Sequence, residues 1–182
     1  IVGTTDKLSA RYFFRDSDPT AYYNPVQQVR FDDGTTWDLT AIVAKVLTGT
    51  SGDDTITGTV VGDTIDGAAG NDTLAGGGGD DLVRGGDGTD SLSGDAGDDT
   101  LDGGAGIDTL RGGEGNDTYR WGRGSGNDTI SDHVSFTNPG TLDRLELIGL
   151  KPADVQVSRN SAGDALIKIK DTGEVMTISQ GF

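Results

Sequence analysis

Gly103-Gly104-Ala105-Gly106-Ile107-Asp108-Thr109-Leu110-Arg111-Gly112-Gly113-Glu114-Gly115-Asn116-Asp117-Thr118-Tyr119-Arg120 is one nine-residue phrase written twice, with glycine at positions 1, 2 and 4, aspartate at 6 and an apolar residue at 8. The phrase runs through the middle of the chain: Asp54, Asp63, Asp72, Asp81, Asp90, Asp99, Asp108 and Asp117 are spaced nine apart, and Asp128 follows after a two-residue slip. Two residues beyond each aspartate stand, in order, Ile56, Ile65, Leu74, Val83, Leu92, Leu101, Leu110, Tyr119 and Ile130. Glycine admits positive φ and close backbone approach, and alternate residues of a strand point to opposite faces. The phrase therefore predicts a glycine turn bearing a carboxylate, then a short strand that sends one apolar side chain inward.

Composition says what such an array needs. Of 31 glycines, 24 lie in residues 49–131, where about one residue in four is apolar. Of 27 aspartates, 17 lie in residues 49–132 with Glu114, against four arginines, so this segment carries −14 of the chain's −16. A polypeptide so polar and self-repelling cannot offset its ordering entropy by burial alone. A cation is the natural partner. Nucleic acid and anionic membrane surfaces would be repelled. Without cysteine there are neither disulfides nor thiolate sites, so zinc loses its best ligands and oxygen donors favour a hard ion. No apolar run reaches transmembrane length and no signal peptide is evident. The chain opens at Ile1, not methionine, and so reads as an excised fragment.

Three segments follow: an N-terminal flank (1–48), the repeats (49–132) and a β-rich tail (133–182). In the flank, Val29 and Phe31 lead into Asp32-Asp33-Gly34 and on to Trp37, which predicts a hairpin. Leu39, Ile42, Val43 and Val46 share one helical face behind Asp38 or Thr40 as N-cap. In the tail, apolar pairs around Leu145, Val155, Leu166 and Val175, separated by turn residues, predict an antiparallel meander that caps the array. Trp37, Tyr119, Trp121 and Phe136 are expected to close the ends of the solenoid. Displacing the N-terminus by 168 residues pairs Thr4 with Thr172, Leu8 with Met176 and Phe14 with Phe182, a match expected if the chain holds slightly more than one unit of a tandem array, the alternative being two similar strand edges.

The repeats resemble the glycine-rich nonapeptides of RTX (repeats-in-toxin) proteins, whose consensus is calcium-binding. The resemblance implies an all-β parallel β-roll in which two nonapeptides make one coil, with Asp54, Asp72, Asp90 and Asp108 on one edge and Asp63, Asp81, Asp99 and Asp117 on the other. It implies that calcium lies between stacked turns, held by these carboxylates, with Asp128 as an addition, and by carbonyls of glycine positions such as Gly77, Gly79, Gly86, Gly88, Gly104, Gly106, Gly113 and Gly115. Three gaps on each edge give roughly six calcium ions. Val61 at position 4 of the second repeat makes Asp63 a suspect ligand. Asp53, Asp66, Asp80, Asp87, Asp95, Asp98 and Asp102 are expected to be solvated surface. Residues 119–130, the tail around Leu150-Lys151-Pro152 and the Phe31–Trp37 segment resemble the haemolysin-type calcium-binding-protein-related module.

The implied function is a calcium-dependent folding module of a larger bacterial toxin, adhesin or enzyme, exported by a type I secretion system to the medium or the cell surface. The alternative is a module that recognises a carbohydrate or cell-surface ligand. Catalysis is not expected: His133 is the single histidine, and no lysine between Lys45 and Lys151 could serve a phosphate-binding loop.

Overall fold

The computed structural model describes residues 28–132 and 142–179; the N-terminal half of the 168-residue comparison, His133 and Phe136 lie outside them. Strands β1 (Gln28–Arg30) and β2 (Thr36–Asp38) form the expected antiparallel hairpin, turned at Gly34, with Phe31 and Trp37 edge to face at 4.7 Å. Helix α1 (Leu39–Val46) starts at Asp38, whose carboxylate accepts from the Ala41 N–H at 2.9 Å and so satisfies one of the free amides of the first turn.

The repeats then wind into two parallel sheets. One contains β3 (Thr55–Thr57), β5 (Thr73–Gly78), β7 (Ser91–Ala96), β9 (Thr109–Glu114) and β11 (Thr129–Ile130). The other contains β4 (Thr64–Asp66), β6 (Leu82–Gly88), β8 (Thr100–Gly106) and β10 (Thr118–Gly122). Register follows the period: Leu74 pairs with Leu92 and Leu92 with Leu110 on one sheet, Ile65 with Val83 and Val83 with Leu101 on the other. All nine position-8 residues are buried and form one cluster between the sheets. The remaining strand surface uses its charges by register, since Asp66, Arg84, Asp102 and Arg120 lie side by side across β4, β6, β8 and β10 with alternating sign.

The ends differ from the sequence reading in two respects. At the N-terminal end the core is closed by Leu47 and Val43 of the helical segment, while Trp37 stays in the hairpin and Val46 is exposed. At the C-terminal end only β13 (Val155–Arg159), β14 (Ala165–Ile169) and β15 (Val175–Ile178) make the antiparallel meander. The first tail strand, β12 (Arg144–Ile148), pairs parallel to β10 and extends the opposite sheet, and β15 pairs parallel to β11. Alternating apolar residues mark a strand but not the sheet it joins. Ile169 and Met176 are buried against the last coil, as are Tyr119 and Trp121. Arg123 fastens the meander down, donating from Nε to Asp171 at 2.9 Å and from an amino group to the Gly149 carbonyl at 3.1 Å.

From the third repeat onward position 2 adopts a left-handed backbone, and two repeats do so without glycine. Ala68 (φ 72°) and Asp95 (φ 73°) are the only non-glycine residues with positive φ among the described residues. A Cβ in that conformation costs about 1–2 kcal/mol, partly offset by the entropy glycine would lose on folding. Ala68→Gly should therefore stabilise the folded protein by roughly 0.5–1 kcal/mol. Thermal melting in excess calcium measures this, and a lowered melting temperature would contradict the assigned backbone.

Candidate metal centre

The position-6 aspartates form two continuous ladders. Each backbone N–H donates to Oδ1 of the aspartate one coil later: Asp54 to Asp72, Asp72 to Asp90 and Asp90 to Asp108 along one edge, Asp63 to Asp81, Asp81 to Asp99 and Asp99 to Asp117 along the other, at 2.7–2.9 Å. Asp108 continues to Asp128 at 2.9 Å across the two-residue slip, which falls in the turn after β10. The expected alternation of edges is thus present, and all nine predicted aspartates stand on it.

From Asp72 onward Oδ1 of each carboxylate is accounted for in this way, and in six of them the other oxygen is not. Oδ2 of Asp72, Asp81, Asp90, Asp99, Asp108 and Asp117 is buried and has no hydrogen-bond partner. The first coil differs. Oδ2 of Asp54 accepts from the N–H and hydroxyl of Thr50 at 2.7 and 2.9 Å, and that of Asp63 from the N–H and hydroxyl of Thr59 at 2.6 and 2.7 Å. Where position 2 is threonine, the turn satisfies its own carboxylate.

The glycines bring carbonyls to the orphaned oxygens. A Cβ on Gly85 at position 1 would fall onto the Asp90 carboxylate and the Gly103 carbonyl together, and Gly67, Gly76 and Gly94 are placed likewise against Asp72 with Gly85, Asp81 with Gly94 and Asp99 with Gly112. The position 2 and 4 glycines named above, Gly77, Gly79, Gly86, Gly88, Gly104, Gly106, Gly113 and Gly115, adopt φ of 90–149° and crowd the backbone of the coil before them. Carboxylate and carbonyl oxygens therefore converge without nitrogen or sulfur. Such a donor set suits Ca2+, which takes six to eight oxygens at about 2.3–2.6 Å.

Electrostatics points the same way. Burial pushes Asp81, Asp99, Asp108 and Asp117 up to about 6 and Asp128 to about 7, and raises Asp90; carboxylates one coil away add to the rise, and the ladder N–H groups oppose it. Some acids assigned to solvated surface are also ordered. At position 5, Asp53 accepts from the amides of Asn71, Asn71 from Thr89, Asp80 from Asp98 and Asp98 from Asn116, at 2.8–3.2 Å. This outer ladder is hidden in the sequence because Asp, Asn and Thr alternate there.

A family model described as RTX calcium-binding nonapeptide repeat matches four copies at residues 46–60, 59–92, 84–119 and 93–130. The repeats belong to that family. A second model, described as haemolysin-type calcium binding protein related domain, matches residues 1–41, which include the Phe31–Trp37 hairpin segment and not the tail. No curated protein gives a significant match. The RTX coils make this chain a calcium-binding module.

A raised carboxylate pKa means that the folded state binds protons more readily than the unfolded one, so its stability without metal is greatest at low pH and is lost as pH rises through about 6–7. In chelator, the RTX segment should therefore gain ordered structure as pH is lowered from 7.5 to 5, with protons standing in for cations. In calcium the same acidification should weaken binding. Far-UV circular dichroism reads both trends, and a chelated protein that loses structure at pH 5 would contradict the burial of these carboxylates.

Proposed function

We propose that the chain is a folding module, unfolded where calcium is scarce and folded on meeting extracellular calcium, within a larger toxin, adhesin or enzyme exported by a bacterial type I system. The observation that carries this reading is the set of six buried Oδ2 atoms without partners, in a segment whose charge is −14. About six calcium ions would supply about twelve positive charges, enough to offset most of it. Extracellular oxygen-ligand modules bind in the range of about 0.1–1 mM, and binding energy becomes folding energy when no site exists in the unfolded chain. Such a chain would pass a secretion channel unfolded and become rigid outside. The reading assigns it no catalysis of its own.

The ligands we propose are Asp72, Asp90, Asp108 and Asp128 on one edge and Asp81, Asp99 and Asp117 on the other, with carbonyls of the position-1 glycines. The reading omits Asp54 and Asp63 as strong ligands, because Thr50 and Thr59 already occupy their free oxygens. Flank, roll and cap (1–48, 49–132 and 133–182) are proposed to fold as one unit: Thr48 bridges to Asp66, and β12 and β15 continue the two sheets. A sugar-binding role gains nothing from Trp121, which is 1% exposed and cannot stack on a ligand.

Calcium titration followed by circular dichroism should show a cooperative transition at submillimolar to millimolar concentration. Asp99→Ala should raise its midpoint several-fold, and Asp63→Ala should shift it much less. Equal shifts would refute the ligand assignment, and a chain fully folded in chelator at neutral pH would refute the module itself.

A further inference from the structure

We propose that Asp117, Asp132 and Asp143 form a calcium site of a different composition at the C-terminal end of the roll, built on one position-6 aspartate and two carboxylates outside the nine-residue pattern. The inference rests on the calcium-binding reading above and adds a site that the nine-residue pattern does not contain. Carboxylate oxygens of the three residues lie within 4.8 Å of one another. That is about the widest separation of two oxygens each bonded to one Ca2+ at about 2.4 Å.

Asp143 is the next rung of the ladder. The Asp117 N–H donates to its Oδ1 at 3.1 Å, as each earlier aspartate does to its successor, and Thr118 pairs with Arg144 directly behind. The rung is displaced in sequence: the offset between stacked positions is 20 residues at Ile130 and 26 at Arg144, so this turn holds six more residues than the turn below it. Asp132 stands at the start of the same turn, two residues past Ile130 and so above Gly112, two residues past Leu110. A carboxylate replaces glycine there. It is held in place, with Oδ1 accepting from the Gly113 N–H at 3.3 Å and Oδ2 from the Tyr119 hydroxyl at 2.6 Å; that hydroxyl in turn accepts from the Gly112 N–H at 2.7 Å.

Proximity of acids alone would not make a site. Asp117 supplies the independent observation: it is completely buried, and its Oδ2 has no hydrogen-bond partner. In the coils below, the corresponding oxygen faces the turn of the next coil, where a glycine carbonyl meets it. Here the next turn offers the carboxylates of Asp132 and Asp143. A third anionic ligand raises affinity for a divalent ion, so this site should fill at lower calcium than the two-carboxylate gaps between repeats.

Native mass spectrometry of the full chain at graded calcium counts the ions directly. Asp132→Asn keeps the shape and one acceptor oxygen, for the Gly113 N–H or the Tyr119 hydroxyl, but removes the charge; it should lose one ion per chain and weaken the first binding step at least tenfold, with the later ions retained. Asp143→Asn should lose the same ion. Tyr119→Phe removes the hydroxyl that positions Asp132 and leaves all three charges, and it should keep the full ion count. A full count with an unchanged first step in Asp132→Asn would overturn the proposal. So would a full count with an unchanged first step in Asp143→Asn. A wild-type chain that takes up no calcium would instead overturn the broader reading of the module.

Discussion

The structure depends on rows of aspartates buried in turns with half of each carboxylate unsatisfied. An ionised group removed from water is costly unless it is paired and hydrogen-bonded, and here the ladder N–H groups supply only one oxygen's worth of compensation. The hydrophobic core cannot carry the rest, because it receives one position-8 side chain per nine residues. A coil is therefore complete only with something positive at its edge. On the proposed reading, folding is then coupled to binding of a cation, through the carboxylate placement and not through the strands, which are ordinary in register and pairing.

The dependence is not uniform along the chain. At Thr50 and Thr59 a hydroxyl and an amide occupy the oxygen that is orphaned from Asp72 to Asp117, so the first coil satisfies its carboxylates with hydrogen bonds where the next three leave an oxygen open for the proposed cations. Neutral capping and ion binding are alternative solutions to one desolvation problem, chosen by the residue at position 2. Glycine there leaves the oxygen free, and threonine fills it. The valine at position 4 of the second repeat, the feature that makes Asp63 suspect in the sequence, thus accompanies a turn in which Thr59 has already taken over.

How much of this was legible follows from how the information is stored. The period is strict from Asp54 to Asp117, so the short strands and the inward apolar row follow from spacing, while the 18-residue register and the two edges are what the resemblance to RTX repeats implies. The hairpin at Gly34 and the cap at Asp38 are local signals and are equally plain. What escaped is geometry that repeats without repeating its residues. The outer ladder uses Asp53, Asn71 and Thr89 for one role, and Asp143 continues the main ladder behind six additional residues. Asp132 belongs to no repeat. Its carboxylate is held by Tyr119, an aromatic that from sequence reads as a position-8 core residue and an end closure, not as a hydrogen-bond donor.

The ladder also has a direction, and direction explains why the two ends are finished differently. Every position-6 aspartate amide donates to the carboxylate one coil further on, so the inner ladder asks for no acceptor on the N-terminal side of the first coil, which is covered by the apolar contacts of Val43 and Leu47. The last coil is left with two donors facing outward. A buried amide without an acceptor is costly, so an end cap must provide acceptors as well as apolar cover. The tail does both: Asp143 receives the Asp117 amide, the Val175 carbonyl receives that of Asp128 at 3.1 Å, and Ile169 and Met176 seal the core between them. Parallel pairing of β12 and β15 follows from the same need, because only strands that continue the register of β10 and β11 place acceptors directly above those amides.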